Sequence, residues 1–412
     1  MRTIYNLSIR TYYLMIRLAA LWNRKAARWI GGRKNWRDDL QGKFRGTDRV
    51  IWFHCSSLGE FEQGRPIMEK VRESYPGRKI LLTFFSPSGY EKRKNYPVAD
   101  HVCYLPGDSR VNARDFIDLI PLERVFFIKY EFWYYYLRTL HQKSVPVYLA
   151  SGNFRKSQLF FKWYGGWYRN MLTFFTHLFV QNNTSAELLQ NAGIESSRIT
   201  VSGDTRFDRV VKIAGQTETW QAMDAFAGDH FVIVAGSTWE KDEDLLEEVY
   251  HDLSSDCRWI IAPHEISQKR IDHILSRLDE EVTLFSSIME GEPVKGNVVV
   301  VDTIGHLSAL YRYGKVAYIG GGFGKGIHNT LEAAAFGLPI FFGPRYHKFL
   351  EAQRLVEIGA AYPVRGPGEM LEKIRVFTDE ERVHARAAKK AADFVSHGAG
   401  ATDRILREVF GA

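Results

Sequence analysis

A glycine-rich run in the second half of the chain has the composition expected of an anion-binding loop. Residues 319–332 have the sequence Ile-Gly-Gly-Gly-Phe-Gly-Lys-Gly-Ile-His-Asn-Thr-Leu-Glu, which predicts a strand, a glycine loop and then a helix. Glycines let backbone N–H groups approach a phosphate, and a helix N-terminus adds a favourable dipole. G-x-G-x-x-G does not fit the run, and Lys325 is followed by Gly326 rather than Ser or Thr, so neither a dinucleotide oxidoreductase nor a P-loop ATPase is favoured. A tight turn capped by Asn329 is the alternative to a phosphate site.

Two acidic residues of the first half come directly after predicted strands. Glu60 follows a strand and a small-residue turn at 53–59, and Glu131 lies among aromatic residues at 128–133. A carboxylate among aromatic rings is poorly solvated, so a raised pKa and a role as base are expected for Glu131. Two acids at strand ends predict acid and base work on a hydroxyl group. The alternative for Glu60 is an ordinary acidic residue in the first turn of a helix.

Other combinations of residues give weaker evidence for a functional site. His264-Glu265 lacks the second His of a zinc peptidase motif, and the pair Asp242 and Asp244 fits the acidic start of a helix. The three cysteines are too few and too scattered for a disulfide framework or a metal site. We therefore expect neither a metal nor another cofactor.

Length and composition place these motifs in a globular protein of more than one domain. The 412 residues exceed one ordinary core, and 45% hydrophobic with 25% charged residues is typical of soluble proteins. The net charge of +7 suggests an anionic partner. Residues 1–45 contain eleven Lys or Arg and two Asp, so the basic excess is confined to this segment. Elsewhere the cations are not interleaved with aromatic residues, which argues against nucleic acid as a partner.

The basic segment 1–45 has the pattern of a helix that lies on a membrane surface. Arg10 and Arg17 divide its apolar stretch into pieces much shorter than the ~18 residues of a spanning helix. Arg10, Arg17 and Arg24 recur every seven residues and leave a broad apolar surface on the helix. The residues expected to meet lipid are Tyr13, Leu14, Leu18 and Leu21 on that surface, Trp22, Trp29 and Trp36 at the headgroups, and the cations Arg24, Lys25, Arg28, Arg33 and Lys34. The alternative is a helix packed on the protein's own body with a solvated basic face.

From residue 49 onward the chain alternates short apolar runs with helical patterns, which is typical of parallel sheets. The predicted strands are 50–54, 80–84, 102–105, 125–128, 145–149 and 178–180 in the first series, and 231–235, 259–262, 298–301, 316–319 and 339–342 in the second. We predict an α/β protein with two doubly wound Rossmann-like domains that face a cleft, one at 46–214 and one at 215–412 with C-terminal helices. Ligands are expected at the carboxyl ends of the strands.

The motifs taken in order resemble the Kdo (3-deoxy-D-manno-octulosonic acid) transferase family of lipopolysaccharide assembly, and the similarity covers nearly the whole chain. The resemblance implies the two-domain GT-B fold of glycosyltransferases. Its carriers are 56–60 (Ser-Ser-Leu-Gly-Glu), 86–89 (Ser-Pro-Ser-Gly), 129–133 (Lys-Tyr-Glu-Phe-Trp), 203–208 (Gly-Asp-Thr-Arg-Phe-Asp), 236–238 (Gly-Ser-Thr), 262–265 (Ala-Pro-His-Glu), 302–307 (Asp-Thr-Ile-Gly-His-Leu), 328–332 (His-Asn-Thr-Leu-Glu) and 342–344 (Phe-Gly-Pro).

The resemblance also implies roles for individual residues. Glu60 matches the family's catalytic base, Glu131 matches a second essential position that stabilises the transition state, and Arg206 occupies a place where the family usually has Lys. The implied binding residues for the CMP part of the donor are Ser237, Thr238, Pro263, His264, Gly305, His306, Leu307, Gly321, Gly322, Lys325, Asn329, Thr330, Leu331 and Glu332. Many members have Pro-Arg-His where this chain has Pro263-His264-Glu265, so His264 or Lys325 is expected to replace the missing Arg.

The family performs inverting transfer of Kdo from CMP-Kdo to a lipid A precursor at the cytoplasmic face of the inner membrane. The resemblance therefore implies CMP-Kdo, a lipid A precursor and the anionic inner-membrane surface as partners of this chain. One alternative is a GT-B transferase or epimerase that uses a UDP-sugar. A second alternative is a non-enzymatic binding protein on anionic membranes.

Overall fold

A computed structural model describes residues 1–216, 218–253, 257–278 and 281–411. Its contacts divide the chain into two compact units. The first unit contains Met1–Asp208 together with Gly400–Ala412, and the second contains Arg209–Ala399.

Seven parallel strands form the sheet of the first unit, because apolar and aromatic residues dominate each run and are buried on both faces. The strands are β1 (Val50–Cys55), β2 (Lys79–Phe84), β3 (His101–Tyr104), β4 (Leu122–Ile128), β5 (Val147–Gly152), β6 (His177–Val180) and β7 (Ile199–Val201). Their order is β3-β2-β1-β4-β5-β6-β7, so the strand order reverses between β1 and β4.

Helices cover both faces of this sheet. They are α1 (Arg2–Ala19), α2 (Arg24–Gly31), α3 (Trp36–Leu40), α4 (Leu58–Ser74), α5 (Pro87–Arg93), α6 (Arg110–Asp118), α7 (Tyr134–Gln142), α8 (Gly166–Leu172), α9 (Asn183–Asn191) and the start of α10 (Arg206–Gly215), with short 3₁₀ turns at Leu159–Phe161 and Ser196–Arg198. Trp52 and Phe127 point into the core on one face, whereas Phe53 and Phe126 stack at 4.9 Å on the other. The alternation along β1 and β4 thus builds two cores from one sheet.

The second unit contains a sheet of the same kind. Its strands are β8 (Phe231–Thr238), β9 (Cys257–Pro263), β10 (Val282–Leu284), β11 (Val298–Val300), β12 (Val316–Ile319), β13 (Ile340–Phe342) and β14 (Ala361–Pro363), in the order β10-β11-β9-β8-β12-β13-β14. Its helices are α11 (Gln221–Ala227), α12 (Glu240–Leu253), α13 (Gln268–Leu275), α14 (Phe285–Met289), α15 (Leu307–Leu310) with a 3₁₀ turn at Tyr311–Tyr313, α16 (Leu331–Ala335), α17 (Leu350–Glu357), α18 (Pro367–Asp379) and α19 (Glu381–Gly398). Two sheets of seven parallel strands confirm the predicted fold class.

The last helix, α20 (Ala401–Phe410), differs from the predicted arrangement, which placed all C-terminal helices in the second domain. Ile405, Leu406 and Val409 belong to the core of the first unit. Asp208 accepts hydrogen bonds from the backbone N–H groups of Gly400 and, at 2.7 Å, of Thr402. The apolar face of α20 therefore completes the first unit rather than the second.

The N-terminal helix α1 packs on the first unit through polar contacts. Asp108 is buried and accepts a hydrogen bond from the Tyr5 hydroxyl, while its own N–H donates to Tyr13 Oη at 2.9 Å. Tyr135 Oη donates to Asn6 Oδ1 at 2.6 Å. The apolar side of α1 and the turn after it stay exposed; this α1 surface consists of Ile4, Leu7, Leu14, Leu18, Leu21 and Trp22. None of the helices in the described part of the chain combines the length and the apolar character needed to cross a bilayer.

Part of the lipid-facing prediction is wrong. Trp29 and Trp36 are only 9% and 8% exposed, so they belong to the protein interior. Arg33 lies 3.9 Å from the Trp29 ring centre and donates to the backbone oxygens of Leu105 and Phe85 at 2.8 and 2.6 Å. Tyr13 faces the body of the unit as well. The exposed surface is therefore narrower than the sequence pattern predicted.

Candidate active site

Glu60 stands in the first turn of α4, directly after β1, where the strand order of the first sheet reverses. Ligands of doubly wound sheets bind outside the carboxyl ends of the strands at such a point. The Oε2 atom of Glu60 accepts from the backbone N–H groups of Ser56 at 2.5 Å and Ser57 at 3.1 Å, as part of a capping box. The carboxylate is therefore fixed at the sheet edge in one orientation while remaining partly exposed.

The environment of Glu60 favours the protonated form. Burial, followed by the charge of Glu131, raises the pKa of Glu60 to about 8, although the N–H groups of Ser56 and Ser57 and the Lys129 cation oppose the rise. Lys129 itself adopts a left-handed conformation with φ of 68°, which is uncommon for a residue other than glycine. A carboxyl group with a pKa near neutral is suited to accept a proton from a hydroxyl group.

Glu131 follows β4, the strand adjacent to β1, and is 5% exposed. Its Oε2 atom accepts from Trp133 Nε1 at 2.6 Å and contacts His54 Nε2 at 3.0 Å. The other ring nitrogen of His54 is 2.8 Å from Thr83 Oγ1. Glu131 is therefore held by a buried network that begins on β1, and the charge of Glu131 acts on Glu60.

Arg206 begins α10 and lies in the first unit. Its Nε and Nη2 atoms donate to Asp204 Oδ2 at 3.0 and 2.8 Å. The neighbouring Thr205 is buried and donates to the backbone oxygen of Gln63 in α4, one turn beyond Glu60. This bond fixes the Arg206 segment against the helix that carries the candidate base.

The glycine loop of the second unit also lies at a reversal of strand order, between β8 and β12. A Cβ atom on Gly320 would lie 2.2 Å from the Ser237 oxygen, and one on Gly322 would lie 2.4 Å from the Gly343 nitrogen. Ser237 has a φ of 56°, and Thr238 donates to Glu243 Oε1 at 2.8 Å. Glycine is needed here because two other backbone segments approach the loop closely.

Three rings border this loop. His264 follows Pro263 at the end of β9; its ring centre lies 4.2 Å from that of His328 and 4.6 Å from that of Trp239. Trp239 Nε1 donates to His328 Nε2 at 2.9 Å. Burial, and secondarily His264, lowers the pKa of His328 to about 4, so His328 is neutral at physiological pH. Lys325 lies on the same loop and is exposed.

Glu332 links the two remaining segments of predicted donor residues, 305–307 and 329–332. Its Oε1 atom accepts from Asn329 Nδ2 at 2.8 Å, and its Oε2 atom accepts from the Ser308 hydroxyl. Ser308 lies in α15, immediately after the predicted run Gly305, His306 and Leu307, in which Gly305 has a φ of 100°. Thr330 and Leu331 are buried at the start of α16. This helix has only five residues, so it supplies less dipole than predicted.

Asp242 organises the glycine loop, a role that the sequence did not indicate. It is fully buried, and its Oδ2 atom accepts from the N–H groups of Gly321 and Trp239 at 2.8 and 2.9 Å. Tyr318 Oη donates to Oδ1 at 2.9 Å. The acidic start of α12 therefore fixes a loop rather than only complementing a helix dipole. Among the described residues, no group of three or more His, Cys, Asp or Glu side chains is placed to hold a metal ion.

Comparison with known proteins shows which proteins this chain resembles. Residues 32–209 match the family model of the 3-deoxy-D-manno-octulosonic-acid transferase, or kdotransferase. The enzyme of this name from Chlamydophila psittaci is 25% identical over 370 residues, which cover 87% of this chain and 84% of that protein. The one from Haemophilus influenzae is 23% identical and covers 86% and 85%, respectively. The chain is therefore similar to Kdo transferases over most of its length. The predicted family resemblance and the predicted class, a glycosyltransferase, are confirmed.

Solved structures show where the fold occurs elsewhere. The UDP-GlcNAc 2-epimerase from Neisseria meningitidis, bound to UDP-GlcNAc, superposes with a TM-score of 0.61 at 14% identity and covers 88% of this chain and 100% of that chain. The corresponding epimerase from Methanocaldococcus jannaschii gives a TM-score of 0.52 at 13% identity, with 85% and 100% covered. At these identities the likeness extends to the GT-B fold alone, which this chain shares.

Proposed function

We propose that this chain is an inverting glycosyltransferase that moves Kdo from CMP-Kdo to a lipid A precursor. The observation that carries the proposal is Glu60, a partly exposed carboxyl group whose pKa is raised to about 8 at the reversal point of the first sheet. The relatives of the chain are named Kdo transferases, which supports Kdo as the transferred sugar. A base of this kind is what an acceptor hydroxyl needs when it attacks an anomeric carbon.

In this proposal each candidate residue has a defined task. Glu60 removes the proton from the acceptor hydroxyl as the bond to the anomeric carbon forms on the face opposite to departing CMP. Glu131 and Arg206 stabilise the charge that develops in the transition state. Backbone N–H groups of the glycine loop, with His264 and Lys325, receive the CMP phosphate. CMP leaves as a phosphate monoester whose charge these groups neutralise, so the reaction demands no metal.

The catalytic assignment is tested with Glu60→Ala. We expect the variant to keep CMP binding, measured by thermal protection, and to lose transfer to the lipid A precursor by at least about a hundredfold. Glu73→Gln, at the exposed far end of the same helix, is the matched control and should retain both properties. Unchanged turnover of Glu60→Ala would refute the assignment.

Donor and acceptor are tested separately. Mass spectrometry of products formed from CMP-Kdo and a tetra-acylated lipid A precursor reports the donor, the acceptor and the number of Kdo units added. Protection against thermal unfolding by UDP but not by CMP would instead identify a UDP-sugar enzyme.

We further propose that the chain acts at the anionic cytoplasmic surface of the inner membrane. The α1 surface supports this, since Leu21 and Trp22 are 79% and 76% exposed next to the basic residues Arg17 and Arg24. Exposed apolar side chains beside cations are typical of helices that lie in the membrane interface.

The substitution that tests membrane binding must spare the buried residues of segment 1–45. Deletion of residues 1–34 would remove Trp29 and Arg33 from the interior and destabilise the first unit. Leu18→Ser with Trp22→Ser removes only exposed apolar groups. We expect this variant to bind anionic vesicles about tenfold or more weakly while CMP protection stays unchanged. An equal loss of CMP binding would contradict the proposal that the α1 surface serves membrane binding and not donor binding.

A further inference from the structure

A second group of exposed aromatic side chains lies in the segment 153–165 between β5 and α8, which we call the Trp163 loop. Trp163 is 90% exposed, Tyr164 is 50% exposed and Leu159 is 41% exposed. The proposed reaction uses none of them. Large apolar groups that remain exposed together mark a surface that meets another apolar phase or partner.

The loop presents these rings on a fixed support. Phe160 is buried, with its ring centre 4.7 Å from that of Phe132. A Cβ atom on Gly165 would lie 1.8 Å from the Leu159 oxygen, so the turn closes tightly on itself. The exposed tip therefore projects from an ordered turn, and little conformational entropy is lost when it inserts elsewhere.

Position and charge favour a lipid surface as the occupant. The ring centre of Trp167, just after the loop, lies 5.2 Å from that of Tyr5 in α1, so the loop is a neighbour of α1 within one unit. The sequence contains no Asp or Glu between Glu131 and Glu187, whereas Arg155 and Lys156 of the loop are exposed. Trp and Tyr rings flanked by cations suit the headgroup layer of an anionic membrane.

We propose that the Trp163 loop is a second membrane-contact element that inserts its aromatic tip into anionic lipid next to α1. The inference deepens the proposed membrane association and rests on it. Two elements on one rigid unit bind a surface with an avidity that exceeds either one alone. Loss of the loop should therefore weaken membrane binding even when the α1 surface is intact.

The test uses a double variant of the full chain in which Trp163→Ala is combined with Tyr164→Ala. This variant is compared with the wild type. Binding is measured by sedimentation with phosphatidylcholine vesicles that contain phosphatidylglycerol, and with phosphatidylcholine alone. We expect about tenfold or more weaker binding to the anionic vesicles. Met289→Ala with Leu350→Ala, which removes two exposed apolar side chains of the second unit, is the control and should bind normally.

Two further measurements separate the possible outcomes. Brominated lipid should quench wild-type fluorescence more than that of Trp163→Phe, because Trp163 enters the bilayer. The double variant should turn over a detergent-dispersed acceptor at the wild-type rate. If the wild type shows no such turnover, the proposed reaction is refuted, but the proposed membrane contact of the Trp163 loop is not. Unchanged vesicle binding, or a change of oligomeric state that shows a second copy on the loop, would overturn the proposal.

A different observation, the buried hydrogen-bond chain behind Glu131, carries a second inference. Trp52 Nε1 donates to Thr83 Oγ1 at 2.7 Å, so the single Thr83 proton is free to go to His54 Nδ1 at 2.8 Å rather than to the Phe53 oxygen at 3.4 Å. His54 Nε2 lies 3.0 Å from Glu131 Oε2 and 3.1 Å from Trp133 Nε1, while Trp133 Nε1 itself donates to Glu131 Oε2 at 2.6 Å. In the tautomer with its proton on Nε2, His54 donates to Glu131 Oε2.

We infer that His54 is a positioning residue that holds Glu131 in one orientation during sugar transfer. His54 is fully buried, and the chain Trp52–Thr83–His54 anchors its ring beside Glu131. Glu60 and Cys55 interact electrostatically with Glu131, and Lys129 interacts with Glu60, so the transfer rate depends on the whole set. This inference also rests on the proposed reaction.

His54→Leu removes the donor, whereas His54→Gln can place an amide N–H near the position of Nε2. We expect His54→Leu to lower kcat by about tenfold to a hundredfold with little change in the KM for CMP-Kdo. His54→Gln should restore part of the lost kcat. Equal losses of kcat in the two folded variants would assign His54 a packing role only.

Discussion

Replacement of Glu60 by Gln should affect stability and activity in opposite directions. In the folded protein the pKa of Glu60 is about 8 instead of 4.5, because burial and the charge of Glu131 disfavour its ionised form. Between these two values the folded state retains a proton that the unfolded state has lost, so wild-type stability falls as the pH rises. Glu60→Gln has no such proton and should not show this fall.

The size of the difference follows from the two pKa values. A rise from 4.5 to about 8 corresponds to roughly 5 kcal/mol against the ionised folded state. Partial exposure screens some of this, and the hydrogen bonds from Ser56 and Ser57 to a neutral amide oxygen are weaker by roughly 1 kcal/mol each. We therefore expect Glu60→Gln to be about 2 kcal/mol more stable than wild type above pH 8, and no more stable near pH 4.5.

Hydrogen exchange of peptides that span β1 and α4, compared with wild type at each pH, measures this difference in the first unit alone. Wild-type transfer activity should rise with pH up to about 8, since only ionised Glu60 accepts a proton, and Glu60→Gln should be reduced by about a hundredfold or more at every pH. A stability difference that does not change with pH would show that Glu60 has an ordinary pKa, and the assignment of a tuned base would fail.

Further substitutions test the glycine loop of the second unit and the Arg206 cation. Asp242→Ala removes the buried acceptor of the Gly321 N–H and should destabilise the second unit by about 1–3 kcal/mol while weakening thermal protection by CMP. Gly320→Ala places a Cβ atom 2.2 Å from a backbone oxygen and should lower the unfolding temperature, whereas Gly324→Ala, whose nearest atom lies at 3.5 Å, should not. Arg206→Lys keeps the charge but not the planar donor pair, so we expect a smaller loss of transfer rate than for Arg206→Met.

Burial explains which strands could be predicted from the sequence. The central strands β1, β4, β8 and β12 are mostly apolar, because helices cover the faces of a parallel sheet. The strands that were missed, β7, β10 and β14, are three residues long and lie at sheet edges. β11 and β13 are equally short, but they are wholly apolar and buried and were predicted, whereas each missed edge strand contains a Thr or a Pro and is only partly buried.

The N-terminal segment shows the limit of composition as evidence. Trp22 and Trp29 occur in equally basic and aromatic surroundings, yet one is exposed and the other forms part of the interior. The difference depends on Phe85, whose ring lies 5.5 Å from that of Trp29 and far away in the sequence. Membrane-facing and core-facing aromatic residues cannot be separated without such tertiary contacts.

The same limit applies to the site. The positions of Glu60 and of the glycine loop at strand ends were predictable because they depend on neighbours in sequence, a strand before and a helix after. Asp242 and His54 were not, because their partners lie 79 and 77 residues away along the chain. Buried residues that position a catalytic side chain have no recognisable motif in the local sequence, although their buried polar atoms need hydrogen-bond partners.

The two interpretations of Glu60, helix cap and catalytic base, describe the same geometry. Both capping N–H groups donate to one oxygen, Oε2, so the cap does not require Oε1. Capping fixes the side chain in one orientation, which a base needs before its substrate arrives. The N–H groups also limit the rise of the pKa that burial and Glu131 cause. A cap that only stabilised α4 would have no use for a neighbouring buried carboxylate, which raises the pKa of the capping group and opposes its ionisation. The pairing of Glu60 with Glu131 is therefore the feature that distinguishes a tuned base from a structural cap.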